Sequence, residues 1–440
     1  MSTRPDEIPV KVERVTVEQD KSVSKPSFLR HFVRNVETAT DLQSLLVESQ
    51  LAKQKMEQSG CFKSVDVAID TTEAYDGSGS ATGYQVVYDV KEKKLSISAG
   101  GDLSPESMTP EGGVKIGIPN VFGYGEKIQM SFGKDIDTNR GEEAPKNLFP
   151  NVSINLNYPL KYDKTSIDGD FTSTNRDKPW SNLREESMIG KLGVTHKFND
   201  NLSGTLSVNA RQMNLSALTK KDVPVTILEQ FGYSKRECLT ASVNYDTSAN
   251  YIRKVVPSNG FRVKFDGDVF KSGYKAFADL AFYQPLSTGV TGVFTASGGY
   301  LSTKSGKSQI SDRFFIGGNN NIRGFEMNSH GPRETGCALG GDASCQVGVH
   351  IYSSLELLGQ VFKGISQQLL SPNAAIHAFA VAGNVGDISS VLQGNHYAYC
   401  YGVGVAISLF QGIPLNLETN ILGTSQHKLP KFQAGFSIAI

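Results

Sequence analysis

One segment of this chain gathers the residues best suited to chemistry: Arg313-Phe314-Phe315-Ile316-Gly317-Gly318-Asn319-Asn320-Asn321-Ile322-Arg323-Gly324-Phe325. Arg323 offers a planar fork of donors that matches a carboxylate bidentately. Gly324 beside it lets the backbone approach a neighbouring wall closely. This is the chemistry of a buried ion pair, and no bond is made or broken by it. The seven histidines and the scattered carboxylates form no nucleophile or metal pattern. The five cysteines (Cys61, Cys238, Cys337, Cys345 and Cys400) contain no CxxC, and their odd number suits a reducing environment or inert thiols. Cys337 and Cys345 lie near enough in sequence to pair. The expectation is no enzyme, no cofactor and no metal.

The segment belongs to a connection spanning residues 302–346, between the strand-like runs Val290–Leu301 and Val347–Leu358. A connection this long is usually functional or disordered. Left on the surface it would expose Phe314, Phe315, Ile316 and Phe325. Folded inward, Phe325 packs on a wall and Arg323 meets an acid. Parity supplies a candidate: Val347, Val349, Ile351, Leu355 and Leu357 share one apolar face, which turns Gly348, His350, Tyr352, Ser354 and Glu356 the other way. Glu356 is therefore the expected anchor for Arg323.

The elements that must position this loop fall into two regions of different period. Residues 1–9 read as a flexible N-terminus, and residues 10–93 as a small α+β domain of β-α-α-β-β order. Val10, Val12, Val15 and Val17 open a strand. Pro26 starts a helix carrying Phe28, Leu29, Phe32, Val33 and Val36, and Thr40-Asp41-Leu42-Gln43 reads as a capping box for a second, closed by Gly60. Two strands follow, with a Gly/Ser-rich turn at residues 76–83 between them. From residue 94 to 440 the period is two, apart from a short turn around residues 223–230. Leu95, Ile97 and Ala99 alternate with Ser96, Ser98 and Gly100. Phe261, Val263 and Phe265 alternate with Arg262, Lys264 and Asp266. The last ten residues place Phe432, Ala434, Phe436, Ile438 and Ile440 opposite Gln433, Gly435, Ser437 and Ala439. About 16 such runs occur, an even number of the kind found in outer-membrane barrels.

Composition constrains the rest. The 44 basic and 44 acidic residues cancel, so nothing electrostatic points to nucleic acid. Mean hydropathy is −0.26 and no apolar run approaches the ~18 residues of a spanning helix. Barrel strands hide a lipid face in alternation, and their small polar faces of Ser, Asn, Gly and Thr suit a hydrated lumen. A soluble sandwich or propeller alternates too, but no repeat of ~40 residues is visible. The expected fold is an all-β, 16-stranded antiparallel transmembrane β-barrel preceded by one small α+β domain. The first residues lack a secretory h-region or an Arg-rich amphipathic helix, so synthesis in the cytosol is expected.

Gly317-Gly318 followed by Ile322-Arg323-Gly324-Phe325 resembles the [V/I]RG[F/Y] signature in the sixth loop of the outer-membrane barrel-assembly superfamily. Its members join soluble POTRA (polypeptide-transport-associated) domains of β-α-α-β-β order to a 16-stranded barrel, so the resemblance covers almost the whole chain. A single POTRA-like unit makes the chain look like the mitochondrial sorting and assembly branch. Ser354-Leu355-Glu356-Leu357 looks like the family's inward glutamate. Phe379-Ala380-Val381-Ala382-Gly383 departs from the F-x-D-x-G of bacterial relatives and removes one acid. Gln433-x-Gly435-x-x-Ile438-x-Ile440 fits the terminal β-signal of mitochondrial barrel clients.

The resemblance implies assembly and insertion of β-barrel proteins into the mitochondrial outer membrane. Its seam would lie between a first strand holding Leu95, Ile97, Ala99, Gly100 and Gly101 and the last strand. Implied partners are unfolded β-barrel clients, membrane lipid, peripheral subunits of the sorting machinery on the cytosolic face and an inner-membrane organising complex. The POTRA-like domain would sit in the intermembrane space. Two rivals remain open: a porin-like channel, and a polypeptide translocase of the same superfamily.

Overall fold

In the computed structural model, the described residues are 9–20, 23–72, 82–103, 110–135, 151–161, 164–219, 223–252, 255–304, 306–319, 321–354, 374–394, 396–408, 415–426 and 431–438. The chain forms two compact units, Met1–Asp102 with Pro110–Thr172, and Leu103–Thr109 with Ser173–Ile440.

The first unit begins with β1 (Val10–Gln19), α1 (Pro26–Val33), α2 (Leu42–Gln58), β2 (Phe62–Thr71) and β3 (Thr82–Glu92). The sheet order is β1-β3-β2, with β1 parallel and β2 antiparallel to the central β3. Phe28, Val36, Leu45, Met56, Val65, Val86 and Tyr88 form its core. Each large side chain buried this completely contributes about 1.5–3 kcal/mol. The cap of α2 lies one residue beyond the expected Thr40. Asp41 accepts from the Ser44 N–H at 2.7 Å, and the Ser44 hydroxyl accepts from the Asp41 N–H. The shift has a simple cause: a carboxylate is the stronger acceptor for the orphan N–H groups. Gly60, just past the helix, takes a φ of +72°.

The same unit holds β4 (Ser96–Leu103) except its last residue, and β5 (Pro110–Pro119), β6 (Lys127–Asp135) and β7 (Asn151–Lys161) entire. β5 and β6, and β6 and β7, pair antiparallel. The first compact unit thus extends past residue 94, while the N-terminal sheet β1-β3-β2 ends at Glu92. The turn from Asn120 to Glu126 is hydrogen-bonded to the N-terminal domain at Ser24 and Lys25. β8 (Thr165–Lys178) runs through the division.

The second unit continues with β9 (Leu183–Lys197), β10 (Leu202–Ala217), β11 (Gly232–Asp246), a short β12 (Ala249–Ile252), β13 (Val256–Phe270), β14 (Gly273–Ser287) and β15 (Val290–Thr303). A two-stranded ribbon, β16 (Arg333–Glu334) and β17 (Cys337–Ala338), interrupts the series. Then come β18 (Ala343–Ser354), β19 (Ala374–Gly386), β20 (Ala398–Ser408), β21 (Leu415–Thr424) and β22 (Lys431–Ile438). Neighbours from β9 to β22 pair antiparallel in chain order, β12 and the ribbon aside. Leaving out β12, β16 and β17, sixteen strands follow Leu95 among the described residues: β4–β11, β13–β15 and β18–β22.

Alternation sorts the side chains. On β10, Leu206 and Val208 are 55% and 60% exposed, while Ser207 between them is buried. On β18, Val347, Val349 and Ile351 face out, and His350, Tyr352 and Ser354 are buried. An apolar outer face with a polar inner one inverts the arrangement of a water-soluble sheet and fits lipid outside. No helix among the described residues is long and apolar enough to cross a membrane.

Candidate functional site: the loop latch

The loop between β15 and β18 is held against the inner face of the strands at two places. At its start, Ile310–Asp312 forms a 3-10 turn. Asp312 is buried and accepts from Arg211 on β10 at 3.3 Å and from Arg236 on β11. Glu185 on β9 accepts from Arg211 at 2.9 Å, from Lys178 at 2.8 Å and from the Ser311 hydroxyl. Buried charges need such paired, multiply bonded surroundings. Arg313 serves the loop itself, donating to Ser308 Oγ and to the Leu339 carbonyl.

Beyond this anchor Gly317 and Gly318 take φ values of 127° and 105°. A Cβ on Gly317 would stand 2.6 Å from the Glu326 carbonyl oxygen, so this turn requires glycine. Ile322 and Phe325 then sink into a cluster with Ile316, Phe379, Val381, Val385, Cys400 and Leu422.

The second anchor is Arg323, which is 3% exposed. Its Nε lies 2.9 Å from Glu418 Oε2 and its Nη2 3.1 Å from Glu418 Oε1, a bidentate pair on β21. The guanidinium also stands 4.8 Å over the Phe379 ring, a favourable cation–π position. Glu418 accepts further from Asn420 Nδ2 at 3.3 Å, and Asn420 Oδ1 lies 2.7 Å from His377 Nε2. Gly324 follows with a φ of 82°; a Cβ there would fall 2.3 Å from Leu422 Cδ1 and 2.5 Å from Thr424 Cγ2. Its N–H donates to Gln433 Oε1 on β22 at 2.8 Å. The β21–β22 register sets Asn420 opposite Gln433 and Glu418 opposite Gly435. The motif thus touches the last two strands of the chain.

Gly317, Gly318, Ile322, Arg323, Gly324 and Phe325 are brought together as one packed loop. Glu356, expected to anchor Arg323, lies outside the described residues; the carboxylate set against Arg323 is Glu418. Sequence reasoning missed Glu418, although it shares the inward parity of Asn420 and Leu422. In the Phe379–Gly383 segment, Val381 stands at the sequence position of the missing acid and packs in the loop cluster. Leu95 precedes β4; Leu95, Ile97 and Ala99 are exposed, and Gly100 and Gly101 lie within the strand. Gly435 and Ile438 lie in β22, and Ile440 is outside the described residues. Cys337 and Cys345 are free thiols. No cluster able to hold a metal ion exists among the described residues.

The Omp85 superfamily domain matches residues 120–414. Sorting and assembly machinery component 50 homolog A of Xenopus laevis is 30% identical over 350 residues, 76% of this chain and 69% of that protein. The Homo sapiens homolog is 28% identical over 341 residues, 73% of this chain and 66% of its own length. Among solved structures, BamA from Haemophilus ducreyi lacking POTRA domains 1–3 has a TM-score of 0.70 at 16% identity, covering 97% of this chain and 83% of that one. That last likeness concerns the fold. Given a domain match that takes in most of the strands and the long loop with Arg323, and a relative 30% identical over 69% of its own length, this chain belongs to the Omp85 superfamily and, within it, to the sorting and assembly machinery component 50 family.

Proposed function

We propose that this chain inserts β-barrel proteins into the mitochondrial outer membrane by offering client strands a template at a seam between its first and last barrel strands. Membership of the family supports the assembly role, and the chemistry is that of pairing rather than catalysis. A strand entering hydrocarbon with unpaired N–H and C=O groups is strongly disfavoured, so it must arrive already hydrogen-bonded. An edge strand supplies those bonds by β-augmentation.

The observation that carries the seam reading is the attachment of the loop to β21 and β22. Arg323 grips Glu418, and Gly324 grips Gln433. A loop that fixes the last strand from inside can hold the seam's edge in place while a client pairs with β4. Leu95, Ile97, Ala99, Gly100 and Gly101 belong to the receiving side. Gln433, Gly435, Ile438 and Ile440 are the chain's own copy of the terminal signal a client would present. Glycines weaken a strand's hold on its neighbours, and Gly100, Gly101 and Gly435 do so on both sides. In this reading the N-terminal domain is a POTRA unit facing the intermembrane space. Peripheral subunits of the machinery dock on the cytosolic face, and an inner-membrane organising complex is a further partner. A photocrosslinking residue placed at positions 95–101 during client import tests it. Adducts with the client's terminal strand are expected; adducts absent while clients still assemble would overturn the seam.

A further inference from the structure

The turn joining β5 to β6 is built unlike a water-exposed hairpin. Its tip carries Val121, Phe122 and Tyr124, which are 45%, 61% and 43% exposed. Its polar groups are turned inward. Glu126, fully buried, accepts from the N–H groups of Phe122 and Tyr124. Asn120 donates its own N–H to the Glu126 carbonyl, and its Oδ1 accepts from the Gly125 N–H at 2.7 Å. Apolar side chains outside and backbone donors satisfied inside are what a lipid interface demands of irregular backbone.

The surroundings agree. The Tyr124 ring stands 6.2 Å from that of Tyr158 on β7. Tyr158 shares strand parity with Ile154, Leu156 and Leu160, all exposed apolar residues. The aromatic tip therefore continues the lipid-facing side of β7, and aromatic rings concentrate where such a band meets water.

The same turn holds the N-terminal domain. Asn120 Nδ2 donates to Ser24 Oγ at 2.7 Å, and the Lys25 N–H donates to the Gly123 carbonyl at 2.9 Å. Ser24 is itself bonded through its N–H to Glu92 at the end of β3. Gly123, at a φ of 87°, would place a Cβ 2.3 Å from the Val23 carbonyl oxygen, so the approach requires glycine. We propose that residues 120–126 form a lipid-interface anchor that clamps the segment Ser24–Lys25 and so ties the N-terminal domain to the membrane surface.

The full chain, reconstituted in vesicles, tests this. With Trp180, the chain's sole tryptophan, changed to Phe, Phe122→Trp reports the environment of the tip; Tyr124→Trp reports it independently should the first variant fail to fold. Lipids brominated near the headgroup should quench the emission severalfold more than lipids brominated at the chain end, and acrylamide should quench it weakly. Strong acrylamide quenching without bromolipid quenching would overturn the anchor. Shielding from both would mean that protein covers the tip, and would overturn it equally. For the clamp, Asn120→Ala should speed exchange of the Lys25 amide about tenfold. Unchanged exchange would remove the clamp.

Discussion

The backbone N–H of Gly324 stands 2.8 Å from the side-chain oxygen of Gln433. The donor lies in the long loop after β15, and the acceptor lies on β22, the last strand. One turn of backbone thus reads a polar side chain in the strand that forms one side of the proposed seam.

Gln433→Glu keeps an acceptor at this point, whereas Gln433→Leu removes it and leaves the Gly324 N–H bare. A hydrogen bond of this kind contributes about 0.5–1.5 kcal/mol. Exchange of the Gly324 amide should therefore quicken in Gln433→Leu and stay slow in Gln433→Glu. Equal exchange in both variants would show that the loop is held elsewhere.

Gly324→Ala tests the fit itself. Its Cβ would meet Leu422 and Thr424 well inside contact distance, at a positive φ that a side chain disfavours. The backbone strain alone costs about 1–3 kcal/mol. Limited proteolysis should cut within the loop of this variant under conditions that spare the parent chain. Trimming Leu422 to Ala should restore only part of the resistance, because the φ penalty persists.

At the other end of the loop, Asp312→Asn should leave Arg211 and Arg236 without their shared carboxylate. Hydrogen bonds to charged groups are worth about 1.5–3 kcal/mol each, and both arginines are partly hydrated, so a loss near the lower figure is expected. Urea unfolding in lipid vesicles measures it. The Gly324 amide should stay protected in this variant, since the second anchor is separate.

Outside the membrane-spanning strands, Asp41 gives a pH test. The Ser44 N–H and hydroxyl bonds hold its carboxyl below the ordinary 3.8. A depressed folded value means the cap is fully present above the unfolded value and fades as pH falls through the folded one. The protection of the first turn of α2 should therefore hold down to about that ordinary value and decline only below it. Asp41→Asn, which cannot ionise, should abolish the acid step.

Much of this arrangement was legible in the chain. Period-two alternation announced the strands because lipid on one side and water on the other force it residue by residue. The Ile322–Phe325 segment stood out because bulky side chains and glycines in one long connection demand an ordered place. Glu418 was not legible as a partner. The loop and β21 are distant in sequence, and parity says which residues face inward but not which of them a folded loop reaches. Asp312 escaped for the same reason: its partners, Arg211 and Arg236, sit on strands that only the antiparallel register brings together. The shift of the α2 cap from Thr40 to Asp41 was a local competition between two adjacent acceptors, which a pattern of spacing does not resolve.

The Arg323–Glu418 pair separates a pin from an active charge. Both side chains are 4% exposed, so removing one partner strands the other; Arg323→Ala should lower stability by about 3–5 kcal/mol. Replacing both, as Arg323→Met with Glu418→Leu, removes the stranded charge, and such swaps of buried pairs are neutral or stabilising by about 1–4 kcal/mol. If the pair serves only to pin the loop, the double variant should regain the unfolding midpoint and client assembly together. The bond from Gly324 to Gln433 needs neither charge. A double variant that is stable, with the Gly324 amide protected, yet assembles no client would show that the charged pair acts on the client's strand directly. Reconstituted assembly scored beside urea unfolding of the same preparation distinguishes the two outcomes.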